Sequence, residues 1–92
     1  MTLPSFDAFR ERSLAAGFHE VVERRWQPGA VFEEHTHPFD ASALIVAGEM
    51  WLRCGPDERH LQPGDTFELA RGTPHAERYG PVGATYWVAR RT

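Results

Sequence analysis

Lysine is missing from this sequence altogether: all ten basic residues are arginine. Without a lysine amine, Schiff-base chemistry and lysine proton relays are excluded. Cysteine occurs once, at Cys54, which excludes an intrachain disulfide framework and a cysteine-rich zinc site. Ten basic residues against 13 acidic ones, for a formal net charge of −3, leave no basic footprint for nucleic acid. The pairs Arg24-Arg25 and Arg90-Arg91 are too few to make a phosphate-binding surface. The longest apolar run, Ala41–Ala47 with Ser42 inside it, falls far short of the about 20 residues that span a bilayer. Met1-Thr2-Leu3-Pro4 lacks the charged-then-apolar pattern of an export signal, so a cytoplasmic protein is expected. What remains is 92 residues, 41% hydrophobic and 12% aromatic: one domain with a thin core and five histidines.

Only the first fifth reads as helix. Ser5 is a candidate N-cap, Asp7 puts an acid in the first turn, and Phe6, Phe9 and Leu14 recur at helical spacing. Gly17 is a natural stop, which predicts a helix over about residues 5–15. From Phe18 onward, short apolar or alternating runs are separated by Gly and Pro every few residues. Such punctuation marks turns between short strands. It predicts strands over about 18–26, 30–37, 41–47, 49–54, 58–61, 66–70, 75–79 and 84–90. That many strands in so short a chain require closure or two stacked sheets. The expected organisation is therefore a helical segment over 1–17 and an all-β barrel or jelly roll over 18–92.

The histidines carry the chemistry. His35 and His37 stand two apart at the end of the predicted strand 30–37, so both imidazoles project from one face. His75 follows Gly72-Thr73-Pro74, a turn that delivers it at the start of the next strand. Brought together, the three would form a metal site with open positions. Glu33 shares the parity of His35, and Glu77 and Tyr79 share that of His75. The two acids are candidates for a fourth ligand, a general base or an orienting partner of an imidazole, and Tyr79 for a proton donor. Arg53 is a candidate anion clamp. Trp51, Phe67, Tyr86 and Trp87 are expected to pack rather than to stack on a substrate. Cys54 is expected to be a small filler near a turn, and His19 and His60 to be exposed.

Two stretches resemble the cupin family. Residues 29–48, GAVFEEHTHPFDASALIVAG, are similar to its first motif, Gly-x5-His-x-His-x3,4-Glu-x6-Gly. Residues 64–79, GDTFELARGTPHAERY, are similar to its second, Gly-x5-Pro-x-Gly-x2-His-x3-Asn. The resemblance covers about residues 28–88. It implies a small cupin-type β-barrel, a double-stranded β-helix, with His35, His37 and His75 as metal ligands. Three departures stand out. Ala41 occupies the glutamate position of the first motif, with Asp40 one residue away as a substitute ligand. Ala70 replaces the proline of the second motif, and Tyr79 replaces its asparagine.

The resemblance implies a divalent transition metal, with iron, manganese, nickel, copper and zinc all compatible with three imidazoles. It also implies a small polar organic ligand or substrate and chemistry of dioxygenase or isomerase type. The alternative is a non-catalytic sensing module resembling the effector domain of AraC-type regulators. No helix-turn-helix pattern accompanies the barrel motifs, so DNA binding is not expected. A homodimer is expected, both from the family and because so thin a core leaves apolar surface to cover.

Overall fold

The computed structural model describes residues 2–92; Met1, the first residue of the predicted helical segment, lies outside the described residues. Helix α1 spans Phe6–Ala15, and the Ser5 side chain caps it by accepting a hydrogen bond from the Ala8 N–H. Its aromatic side chains meet Trp87: Phe6 edge-on at 5.4 Å between ring centroids, Phe9 tilted at 5.9 Å. The Trp87 indole N–H donates to Glu23 at 3.1 Å. Through these two aromatic contacts the helix covers Trp87, on the face of β6 opposite Tyr86 and Val88.

Six strands follow: β1 Glu20–Trp26, β2 Val31–His35, β3 Asp40–Cys54, β4 Asp57–Leu61, β5 Thr66–Leu69 and β6 His75–Arg91. All pairings are antiparallel. The chain forms a jelly-roll β-barrel with a short N-terminal helix. Strands β3 and β6 pair along most of their length and bend together. The first part of β3 pairs with β5 and with the last part of β6, beside β1. The second part of β3 pairs with β4 and with the start of β6, beside β2. Two walls result, and a cavity lies between them.

Eight predicted strands have become six because two glycine breaks are bends within strands. Gly48 joins the predicted 41–47 and 49–54 into β3, and the Gly80–Gly83 stretch joins 75–79 and 84–90 into β6. The register shifts on both sides of Gly48 are the signature of β-bulges, which curve a strand without ending it. A Cβ on Gly48 would strike the Gly83 carbonyl oxygen and lie 2.8 Å from Ala84 Cα, so the two bends nest at van der Waals contact. The predicted strand 30–37 is also shorter than expected, ending at His35.

The core fills the closed part of the barrel with Ile45, Met50, Leu52, Leu61 and Tyr79. Ile45 and Met50 are fully buried. Toward the open end, the same faces carry Ala41, Phe67, Leu69, Tyr86 and Val88, which are buried yet border a cavity. No helix among the described residues is long and apolar enough to cross a membrane.

Candidate metal centre

His75 owes its position to a turn. Thr73 N–H donates to the Ala70 carbonyl, and Gly72 takes φ +78° at the third turn position, where a side chain would be strained. The Gly72 N–H then donates to the His37 carbonyl at 3.0 Å. Asp40 completes the clamp: Oδ1 accepts from the Arg71 N–H at 2.7 Å and Oδ2 pairs with Arg91 at 3.2 Å. These contacts hold the Asp40 carboxyl below the usual carboxylate range, the Arg71 N–H contributing most. The segment that carries His37 and the turn that delivers His75 are thereby tied to each other.

The three imidazoles meet. One ligand nitrogen from each of His35, His37 and His75 lies within 4.8 Å of the others. His35 and His75 are cross-strand partners between β2 and β6. His37 arrives differently from the strand-parity argument, because it lies beyond the end of β2, in the segment leading to β3. His75 is 2% exposed. Burial, then the neighbouring His75 and His35, push the pKa of His37 below its usual value, which favours the neutral ring with one nitrogen lone pair free.

Hydrogen bonds orient two of the rings. His35 Nδ1 lies 2.7 Å from the Glu33 carbonyl oxygen, and His75 Nδ1 lies 2.9 Å from that of Thr73. A carbonyl only accepts, so each Nδ1 carries the hydrogen, and each neutral ring turns the lone pair of Nε2 inward. Against those lone pairs stands Glu77, whose Oε2 is 3.3 Å from His35 Nε2 and 3.8 Å from His75 Nε2. Acceptors converging at such distances repel unless a cation lies among them. A proton on an imidazole meets that need, and so does a metal ion. Ligands each about 2.1 Å from one metal sit roughly 3.0 to 3.4 Å apart, so the donor set suits a divalent transition ion.

Other sequence candidates fall into place around this centre. Asp40 is directed to Arg71 and Arg91 and is absent from the histidine group. Tyr79 is 4% exposed and its hydroxyl donates to Glu77 Oε1 at 2.7 Å. Burial, with the nearby Tyr86 and Glu77, raises the Tyr79 pKa, so it holds Glu77 as a neutral donor. Glu33 is exposed at the cavity rim. Arg53 is exposed in a shallow groove that also borders Trp51 and Arg78. Trp51 packs as expected, between the Arg78 guanidinium at 4.1 Å and the His60 ring at 4.5 Å. His19 and His60 are exposed, and Cys54 packs half-buried against the core.

The histidines open onto a cavity of about 660 Å³. Phe32, Phe67, Leu69 and Val88 give it apolar walls, and Arg24 and Arg90 add two cations. Arg90 pairs with Glu20 at 3.2 Å and lies over Phe39, which stacks on His37. Arg24 makes no ion pair among the described residues. The buried Trp26 indole N–H has no hydrogen-bond partner among the described residues. Burial first, and Glu77 second, raise the Tyr86 pKa. Sequence reasoning missed Arg24, Trp26, Phe39 and Arg90 as cavity residues. A signal existed for Arg24, which lies two residues from each of the core-facing Val22 and Trp26 along β1 and so shares their face.

A family model described as a cupin domain matches residues 22–79. The chain is a cupin. No curated protein sequence matches it significantly. Among solved structures, this cupin is similar to the DMSP lyase DddQ from Ruegeria pomeroyi DSS-3, with 32% identity and a TM-score of 0.67 over 78% of this chain and 36% of that one. A structure reported with the DMSP lyases RdDddP and RnDddQII is 23% identical, with a TM-score of 0.71 over 78% of this chain and 37% of the other. An oxalate decarboxylase variant from Bacillus subtilis is 22% identical, with a TM-score of 0.71 over 87% of this chain and 23% of the other. The cupin described here thus spans little more than a third of the lyase chains it matches.

Proposed function

We propose that this cupin binds a divalent transition metal through His35, His37 and His75 and catalyses a dioxygenase- or isomerase-like reaction on a small organic acid. The observation that carries the proposal is the pair of inward Nε2 lone pairs on His35 and His75, fixed by Nδ1 contacts to backbone carbonyls, with Glu77 Oε2 beside both. Iron, manganese, nickel, copper or zinc held there would supply Lewis acidity, and a redox-active member of that set would also allow oxygen chemistry.

The chain's own residues do the rest. Phe32, Phe67, Leu69 and Val88 exclude water beside the imidazoles, which strengthens every charge interaction in the site. Arg24 and Arg90 give the cavity a positive side that attracts a carboxylate. Glu77 is the acid placed at the imidazoles, whereas Glu33 meets ligand only at the rim. Tyr79 positions Glu77 and does not border the cavity. The similarity to a lyase and a decarboxylase supports small-molecule chemistry on this scaffold. A homodimer would cover apolar surface that so thin a core leaves exposed; sedimentation should show a dimer at micromolar concentration, and a monomer would be contrary evidence.

The test is reconstitution of untagged, chelator-treated protein with each metal, followed by turnover and oxygen-uptake assays on small carboxylates and polyols. Metal-dependent turnover of an acid is the expected result. Saturable ligand binding with no turnover under any metal would replace the enzyme by a sensing module of the AraC effector type.

A further inference from the structure

The first cupin motif places a glutamate where this chain has Ala41, and the second places an asparagine where it has Tyr79. We propose that these two departures are one compensation: Glu77, anchored by Tyr79, supplies the carboxylate ligand of the metal centre from β6 instead of β3. The proposal rests on the three-histidine metal site proposed above and adds a fourth protein ligand to it.

Ala41 lies on the cavity wall, 7% exposed, and its methyl group has no donor to offer. Asp40 beside it is spent on the Arg71 N–H and on Arg91, the contacts that hold the turn before His75. Glu77, by contrast, is two residues beyond His75 on β6 and so shares its face. Its side chain is only 9% exposed, and the side chains nearest its Oε2 are the neutral imidazoles of His35 and His75. No arginine pairs with it among the described residues. A buried carboxylate without a cation is costly, so its counter-charge must come from the space it shares with those rings.

The two oxygens of Glu77 are differentiated. Oε1 accepts the Tyr79 hydroxyl at 2.7 Å, while Oε2 faces the two Nε2 atoms. A hydrogen bond to the outer oxygen fixes the orientation of the inner one, as outer partners commonly do for metal-ligating carboxylates. Tyr79 suits this role because it stays a neutral donor, whereas an asparagine at that position would be shorter. Three neutral imidazoles and one carboxylate would leave a divalent ion with one net positive charge, well matched to an anionic ligand in the same cavity.

The test compares cobalt(II) binding by the chelator-treated wild type, Glu77→Gln, His75→Ala and the double variant Ala41→Glu/Glu77→Gln, by titration against a competing chelator. The cobalt absorption spectrum provides a second readout. Glu77→Gln preserves shape and the Tyr79 contact, and its melting curve without metal reports whether it folds. It should bind cobalt roughly 10- to 100-fold more weakly than wild type and change the spectrum. The double variant, which returns a glutamate to the usual motif position, should recover most of the lost affinity, and the changed spectrum of Glu77→Gln separates loss of a ligand from a merely structural role for Glu77. Cobalt affinity and spectrum unchanged in Glu77→Gln, with binding lost in His75→Ala, would overturn this proposal and leave the metal site standing. No recovery in the double variant would contradict the equivalence of the two positions. Failure of the wild type to bind would overturn both proposals together.

Discussion

Replacing Gly48 by alanine probes the nested bends that set the two walls of the barrel against each other. Two costs add at this position. Gly48 has φ +73°, a conformation that costs an L-residue about 1–2 kcal/mol. The new methyl would also strike the Gly83 carbonyl oxygen and lie 2.8 Å from Ala84 Cα. Relief requires backbone movement in β6, and overpacking of that kind costs about 1–3 kcal/mol. Together they give about 2–5 kcal/mol, a large share of the roughly 5–14 kcal/mol expected for a domain of this length. Gly55 provides an internal reference, because its φ is +60° and nothing lies within 4 Å of its Cβ position. Gly55→Ala should therefore show the backbone cost alone. The entropy that alanine removes from the unfolded chain is common to both variants and cancels in their difference. Urea unfolding followed by tryptophan fluorescence should place Gly48→Ala about 1–3 kcal/mol below Gly55→Ala. Equal losses in the two variants would refute the claim that close approach of β3 and β6 shapes the cavity.

Three further outcomes follow from contacts around the site. Asp40→Ala touches no metal ligand, yet it frees the Arg71 N–H and Arg91; a chelator competition should show metal affinity lowered by up to roughly 10-fold, and an unchanged affinity would remove Asp40 as a positioning residue. Arg24→Gln and Arg90→Gln should each weaken binding of small carboxylates by roughly 10-fold in calorimetry, while neutral polyols bind as before. The pKa of His37 is lowered on folding, so the unfolded chain takes up its proton first as pH falls. Its contribution is complete above the unfolded value of about 6.5 and is lost progressively below it, down through the folded value. The melting temperature of metal-free protein should therefore fall less between pH 7.5 and pH 5.5 in His37→Gln than in wild type; parallel curves would contradict it.

Much of the fold is legible in the sequence because it depends on local chemistry. Ser5 caps α1 and Gly17 follows its end, and both signals act within one turn of helix. The barrel was readable from glycine and proline punctuation together with the two motifs. Whether a glycine turns the chain or merely bends a strand is decided by what pairs across it. Gly48 and Gly83 bend because β3 and β6 continue side by side past them, a long-range fact that no local window contains. The candidate histidines were visible in their spacing, but His37 reaches the group from beyond the end of β2. Parity brought Glu77 and Tyr79 to notice without distinguishing their tasks, since only coordinates show the Tyr79 hydroxyl on Oε1 and the imidazoles on the other side. Phe67 and Tyr86 were expected as packing residues and do pack, but they also line the cavity, because so thin a barrel uses one layer of side chains for both.

Metal stoichiometry tests the three-histidine centre most directly. Untagged protein, stripped with chelator, reloaded with a single divalent metal and desalted, should carry close to one ion per chain by elemental analysis, with a melting temperature above that of the stripped form. His75→Ala, which removes one inward lone pair, should carry almost none and show no such rise. A wild type that retains no metal under any of the five ions, or a His75→Ala variant that retains as much as the wild type, would contradict a metal centre built on His35, His37 and His75.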